Sequence, residues 1–193
     1  MLNKVKLSRL KLPLDKFKVA RFITDKEADV LFSNARGFSL AFESGTAHGF
    51  SGCILSAAGA EVYTFDIVCR PKIWEHIDMS PLPDKINIHI QPFNVGVIAQ
   101  LEKFAISRKN AIFFIDGDHK RESVINDWNA IKTFLIPGDC VIFHDLNEKG
   151  PRKFWGRLTS KNSKGFEFEV IETERRIGKL TITKEYNHAT VEV

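Results

Sequence analysis

Residues 111–146 read AIFFIDGDHKRESVINDWNAIKTFLIPGDCVIFHDL, and this stretch fixes most of what the chain can become. The apolar run Ala111–Ile115 stops at Asp116-Gly117-Asp118-His119, a helical stretch follows, and a second run, Cys140–Phe143, stops at His144-Asp145. Short apolar runs that end in polar tips and are joined through a helix describe a strand–helix–strand unit of a parallel sheet. In such a sheet the carboxyl ends of successive strands share one edge, where ligands bind, so both tips are expected to face one crevice. Three aspartates and two histidines then converge. Val124, Trp128, Ile131 and Leu135 form a single apolar stripe on the helix between the strands, with Asp118 placed to cap its amino end and Pro137-Gly138 to stop it.

A second unit of the same kind lies upstream. Residues 38–42 read as a first strand, residues 43–49 (ESGTAHG) as the turn after it, residues 50–60 as a helix and residues 61–68 as a second strand, with Asp66 near its carboxyl end. Gly45 and Gly49 let backbone approach a ligand and let the helix begin tightly, while a carboxylate at the next strand end accepts ribose hydroxyls. This is the layout of a nucleotide-binding βαβ unit. Around it, residues 24–34 form a helix with a Thr24–Glu27 capping box. Residues 86–90 read as a strand, 95–104 as a helix and 151–158 as a helix opened by proline. Residues 166–172 and 179–184 read as strands joined by the turn 173–178, an antiparallel hairpin closing an otherwise parallel sheet. With no repeat or linker, residues 24–193 read as one domain behind a basic arm, residues 1–23.

Charge singles out that arm. Residues 1–21 hold seven Lys or Arg against Asp15, a balance of +6 in a chain whose net charge is +4. An anionic partner is one reading of the arm; a solvated leader packed by Leu10, Leu12, Leu14 and Phe17 is the other. At 193 residues, 44% hydrophobic and 27% charged, disordered and fibrous classes are excluded. Cys53, Cys69 and Cys140 lack metal-type spacing and read as reduced thiols of a cytoplasmic protein. No apolar run reaches signal-peptide or membrane-spanning length.

The order of these elements, with ESGTAHG after the first strand, Asp66 after the second, IDGDH after the fourth, and PGD then VIFHD at the fifth, resembles a class I S-adenosylmethionine-dependent methyltransferase. More narrowly it resembles the small branch with IDGDH and HD strand-end motifs, and the resemblance spans about residues 24–185. It implies an α/β fold, a Rossmann-like doubly wound sheet of seven strands, six parallel and one antiparallel. It also implies that Glu43, Gly45, Thr46, Gly49, Asp66 and Asp116 bind S-adenosylmethionine. By the pattern of relatives that methylate hydroxyls, His119 is the candidate base and Asp116 lies at the active edge, the two candidate catalytic residues. Asp116, His144 and Asp145 are the candidate ligands of a divalent metal. The acceptor implied is a small molecule bearing a hydroxyl; separately, 193 residues without an obvious inserted lid supply little of an acceptor pocket, so a second copy, as in a homodimer, is expected to complete it.

Where the chain departs from that pattern, chemistry is informative. Magnesium prefers oxygen ligands, whereas a set containing His144 suits iron, manganese or zinc. Ala47 stands where relatives often carry glycine. Residues 91–94 (QPFN) lack the acid many relatives aim at the adenine amine, leaving Gln91 or Phe93 for that end, and Lys120-Arg121 makes the mouth basic, a hint of an anionic acceptor. Asp118 has an ordinary role as a cap, Asp127 is expected on a solvated helix face, and His48 in a turn; His76, His89 and His188 have no partner that the sequence names. Asp116, His119, His144 and Asp145 differ as a set, because clustered ionisable groups at strand ends are costly unless solvated, paired or used.

Readings from other classes stay open. A nicotinamide-dependent dehydrogenase lacks its full glycine fingerprint here. A noncatalytic binding protein on the same scaffold, and a nucleic-acid methyltransferase recruited by the basic arm, both keep the fold; the latter lacks an Asn-Pro-Pro-aromatic or Pro-Cys arrangement.

Overall fold

The computed structural model describes residues 23–105, 107–161 and 164–187, so the basic arm and His188 lie outside the described residues. Strands β1 (Leu40–Ser44), β2 (Glu61–Asp66), β3 (Ile86–Ile90), β4 (Ala111–Ile115), β5 (Cys140–Phe143), β6 (Phe166–Ile171) and β7 (Ile177–Ile182) form one sheet. Its order is β3-β2-β1-β4-β5-β7-β6. Neighbours from β3 through β5 pair in parallel, and β7 runs antiparallel to both β5 and β6. Six strands therefore share a direction and one is reversed, the doubly wound α/β sheet anticipated from the sequence.

Helices α1 (Asp25–Ala35), α2 (Phe50–Ala57) and α3 (Ile73–Asp78) cover one face, and α4 (Phe93–Phe104), α5 (Arg121–Ile131) and α6 (Lys149–Lys161) the other. The alternation along β4 shows why both faces are needed. Phe113 joins a core with Val97, Leu101, Trp128 and Phe154, while Ile112 and Phe114 join one with Leu31, Ile54, Leu55 and Ile73. A strand buried on both sides needs a continuous apolar run, which AIFFI supplies.

Two buried acids pin the framework. Glu27 completes the capping box of α1, its Oε2 accepting from Thr24 N at 2.9 Å, and its Oε1 accepts from Thr173 Oγ1 at 3.1 Å and Arg175 N at 3.0 Å. The helix is thereby tied to the β6–β7 turn. Asp139 takes both nitrogens of Arg108 at 2.7 and 2.8 Å, with Ala111 N and Ile136 N completing its carboxylate. This fixes the register at which β4 and β5 begin.

Several elements differ from the sequence reading. Strand β1 starts and ends two residues later than expected, at Leu40 and Ser44, which draws Glu43 out of the turn and into the sheet. Helix α3 had no counterpart in the sequence reading, and α4 begins at Phe93 rather than residue 95. Helix α5 is entered at Lys120, not Asp118. Asp118 instead accepts from Ser123 Oγ at 2.8 Å and Lys120 N at 3.4 Å, bracing the approach to the helix from two residues upstream. The three cysteines are free, with Cys69 exposed. Among the described residues no helix is long and apolar enough to cross a membrane.

Candidate active site

A cavity of about 540 Å³ opens over the carboxyl ends of β1, β2, β4 and β5. Its floor is made where strands stop. After β1 the chain turns at Gly45, whose N–H donates to Phe65 O at 2.9 Å. Gly45 has φ +92°, and a Cβ there would fall 2.8 Å from the Asp116 carbonyl carbon and closer still to its oxygen. Only glycine allows β1 and β4 to approach this closely. Ala47 follows with φ 45°, a left-handed conformation that an alanine adopts at a cost of about 1 kcal/mol. Its N–H donates to Asp66 Oδ2 at 2.9 Å, while Val68 N donates to Asp66 Oδ1 at 3.0 Å. Asp66 is thus held at the β2 end with its remaining lone pairs free for a ligand. Thr46 and Thr64 share a hydroxyl hydrogen bond of 2.6 Å behind it.

The second polar group gathers at β4 and β5. His144 Nδ1 lies 2.9 Å from Asp116 Oδ1 and 3.0 Å from Asp145 Oδ2, and its Nε2 lies 3.5 Å from Glu27 Oε2. Burial disfavours charge on this imidazole, but Asp116, Asp145 and Glu27 outweigh it and push its pKa up to about 12. Asp145, in a left-handed conformation at φ 55°, also stands 3.0 Å from His119 Nε2 and 3.8 Å from Arg175 Nε. The same partner raises the His119 pKa above its ordinary value, against the opposing effect of burial. Burial works against the Asp145 carboxylate as well, yet His119 and His144 hold it well below the usual range. His119 is the half-exposed member, with 44% of its side chain accessible, whereas His144 shows 1%.

Of the residues expected at a cofactor or catalytic position, Gly45, Thr46, Asp66, Asp116, His119 and Asp145 line the cavity. Glu43, Gly49 and His144 do not. Glu43 is wholly buried within β1, paired in register with Thr64 and Phe114, and among the described residues no donor makes a well-formed hydrogen bond to its carboxyl oxygens, the Ser51 and Thr64 hydroxyls lying nearby. Burial pushes its pKa up to about 8, with the nearby Ser51 and Thr64 hydroxyls opposing. Gly49 opens α2 at φ 83°, packed against Ile77. His144 sits behind the wall as the hub of the carboxylates.

The cavity wall also holds residues to which the sequence assigned no part in the site. Asp127 is not on a solvated face: it is 8% exposed, and its Oδ2 accepts from Ser44 Oγ at 2.6 Å at the cavity wall. Burial raises its pKa to about 6. Arg175 reaches the wall from the β6–β7 turn, and His48 from the glycine turn. His76 Nδ1 meets His48 O at 2.9 Å, and His89 stacks on Phe65 at 4.9 Å between ring centroids.

Asp116, His144 and Asp145 each offer one ligand atom, all within 4.8 Å of one another. Separations of 2.9 and 3.0 Å between His144 Nδ1 and the two carboxylate oxygens are those of hydrogen bonds from the imidazole, so an ion would take the place of the Nδ1 proton among the three side chains. An imidazole with two carboxylates suits manganese, iron or zinc better than magnesium.

Residues 42–146, more than half of the chain, match the sequence profile of a family described as "Methyltransferase domain". The chain belongs to this methyltransferase family. No curated protein sequence matches it. Among solved structures, it is similar to cofactor-bound Rv0187 from MTB, with 16% identity, a TM-score of 0.66, and 93% of this chain and 86% of that one covered. It is similar also to an O-methyltransferase from Bacillus cereus in complex with SAH, with 13% identity, a TM-score of 0.62 and coverage of 95% and 93%. A third is the O-methyltransferase TomG from Streptomyces achromogenes, involved in tomaymycin synthesis, in complex with SAM, with 12% identity, a TM-score of 0.63 and coverage of 94% and 91%. At these identities the likeness establishes the fold, that of the class I methyltransferases.

Proposed function

We propose that the chain transfers the methyl group of S-adenosylmethionine to an oxygen of a small hydroxyl-bearing acceptor, such as a sugar or phenol. The observation that carries this reading is the half-exposed His119 imidazole, 3.0 Å from Asp145, on the same cavity wall as the Gly45 turn and Asp66. The O-methyltransferases among the structural neighbours support the choice of oxygen.

When bound, the donor supplies an electrophilic methyl on a sulfonium. Asp66 would hold the ribose hydroxyls, and Gly45 and Thr46 would present backbone to the methionine portion. Five aspartates line the cavity against two arginines, an acidic surround that favours a cationic donor. His119 donates its Nε2–H to Asp145 Oδ2, which orients the ring and stabilises the imidazolium, leaving Nδ1 as the nitrogen that takes the acceptor's hydroxyl proton. Asp116, His144 and Asp145 would hold a divalent ion, which would supply Lewis-acid chemistry toward the acceptor hydroxyl. His144 must give up a proton for this, so ion binding releases acid at neutral pH.

Three free cysteines suit the cytoplasm, which cell fractionation tests. The +6 arm, residues 1–21, contacts an anionic partner, and full retention on heparin after its deletion would count against that. A second copy completes the acceptor pocket; a monomer in sedimentation at active concentrations argues otherwise.

The deciding experiment is titration calorimetry with S-adenosylmethionine and S-adenosylhomocysteine, with and without manganese or zinc, beside Asp66→Ala. Binding that the substitution removes supports the donor site, and transfer of labelled methyl to a panel of hydroxyl acceptors then supports the activity. Binding without transfer to any acceptor favours a noncatalytic scaffold. No binding in any condition sinks the enzyme reading.

A further inference from the structure

We infer that the exposed face of α6 is a docking surface for RNA, whose phosphate chain leads a ribose hydroxyl to His119; the step at His119 rests on the oxygen-methylation reading above. Helix α6 carries Lys149, Arg152, Lys153, Arg157 and Lys161 and no acid. All five residues are exposed. Four of them recur at every fourth residue, a stripe about 18 Å long at about 1.5 Å per residue. A merely solvated helix face ordinarily mixes signs, as α1, α4 and α5 do. Residues 1–21 hold +6 in a chain of net charge +4, so the body of the protein that carries this cationic helix is net negative. Among the described residues Lys149, Arg152, Lys153 and Arg157 have no ion-pair partner. The acids of the neighbouring strand point elsewhere: Phe166 and Phe168 of β6 face the core that α6 covers, so Glu167 and Glu169 alternate to the other face.

The stripe begins at the active edge. A Cβ on Gly150 would overlap the His119 carbonyl oxygen and fall 2.8 Å from Arg121 N. The first turn of α6 therefore lies against residues 119–121, beside the Lys120-Arg121 pair that follows His119. Lys120 also reaches Asp118 at 3.6 Å, and Glu148, just before the helix, lies within electrostatic reach of His119.

A linear row of cations on a rigid helix complements a linear row of anions. A bilayer is the poorer partner, because Phe154, Trp155 and Leu158 of α6 are buried in the core and have no apolar surface left to insert. The exposed apolar residues Ile67, Val68, Ile90 and Val95 follow β2 and β3, at the opposite end of the sheet from β6. Among phosphate chains, RNA carries a hydroxyl on every sugar. Only the reacting ribose has to enter the cavity, so the sugar acceptor proposed above is one held in a phosphate-linked chain. The 2′-oxygen forms its bond to the donor's methyl carbon as the carbon–sulfur bond breaks and its electron pair stays on sulfur. The hydroxyl proton passes to His119 Nδ1.

Fluorescence anisotropy of a labelled single-stranded RNA of about 20 nucleotides, longer than the stripe at about 3.4 Å per nucleotide, tests the surface between about 50 and 200 mM salt. With the full chain, Lys153→Gln/Arg157→Gln is expected to weaken binding about tenfold or more and to lower the salt slope by about 1.4, two phosphates at about 0.7 each. Lys85→Gln/Lys109→Gln removes the same charge just before β3 and β4, at the far edge of the sheet, and is expected to change affinity by less than about twofold. Equal weakening by the two double variants overturns the docking surface. So does wild-type protein that binds no RNA at the lowest salt, or that binds phosphatidylserine vesicles in its place. Labelled methyl is expected on the RNA and not on DNA of the same sequence, which lacks the 2′-hydroxyl. RNA bound at α6 without methyl incorporation, in protein that still binds S-adenosylhomocysteine, overturns delivery to His119. Protein that binds RNA at α6 but no S-adenosylhomocysteine overturns the donor reading and leaves the docking surface standing.

Discussion

His119 Nε2 stands 3.0 Å from Asp145 Oδ2, joining the strand ends of β4 and β5 through a group that is half exposed and a group that is nearly buried. Asp145 occupies a left-handed backbone conformation, φ 55°, to reach this position. A non-glycine residue held there costs of order 1 kcal/mol or more, and such costs persist where the surrounding structure enforces them.

His119→Ala is expected to lower kcat by about 10²–10⁴-fold, the usual contribution of a positioned general base. Donor affinity should stay within about twofold, because in the proposed site Asp66 and the Gly45 turn, not His119, contact the donor. Steady-state kinetics beside calorimetry check this; equal losses of affinity and rate would place His119 in binding instead.

At Gly45 the argument is steric. The φ of +92° already disfavours a side chain, and the added Cβ would press on the Asp116 carbonyl. Gly45→Ala must part β1 from β4 at the cavity floor, so the variant should lose donor affinity by more than about tenfold, with a fall in thermal midpoint from the strain. Unchanged affinity in calorimetry would show that the donor does not pass over this turn.

Much of the sheet was legible because buried parallel strands are short apolar runs with polar ends. β3, β4 and β5 carry the bounds expected of INIHI, AIFFI and CVIF. β1 was misplaced because Glu43 interrupts its apolar pattern, and a carboxylate inside a strand reads as the start of a turn. α3 was missed because six residues, IWEHID, are too few for a helical period to declare itself. Asp127 carried a signal that went unused: it lies three residues after Val124 and four before Ile131, inside the buried stripe of α5 rather than opposite it. An acid at a core position of an amphipathic helix is a conflict between pattern and chemistry, and such conflicts gather at functional sites. Arg175 gave no comparable signal, since only the folding of the β6–β7 turn against Glu27 brings it to the cavity.

Asp139 separates structural from functional acids. It is fully buried, and its two oxygens accept four hydrogen bonds from three groups: the guanidinium of Arg108 at 2.7 and 2.8 Å, Ala111 N at 2.8 Å and Ile136 N at 2.9 Å. Removing one partner of such a pair leaves a buried cation uncompensated, at a cost of about 3–5 kcal/mol. Asp139→Ala is expected to destabilise by that amount in urea unfolding. Where the variant remains folded, its donor affinity should match the wild type, because the acid lies outside the cavity wall.

Glu43 makes the opposite prediction, that a substitution stabilises. In the folded protein burial raises its pKa from 4.5 to about 8, so the native state keeps this carboxyl protonated where the unfolded chain has ionised it. The sign follows from the proton count. Below pH 4.5 both states hold the proton and Glu43 is neutral in effect; between 4.5 and 8 the native state binds more protons, so stability falls as pH rises. At about 1.4 kcal/mol per unit, the penalty reaches roughly 3 kcal/mol at pH 7. Glu43→Gln has nearly the same shape and no charge to suppress. It should match the wild type near pH 4 and exceed it by about 2–4 kcal/mol at pH 8, a difference that denaturant unfolding across that range measures directly. Parallel stability curves for the two proteins would mean that Glu43 is ionised in the fold. A stability gain with lost donor affinity would identify Glu43 as a residue kept for binding at the expense of the fold.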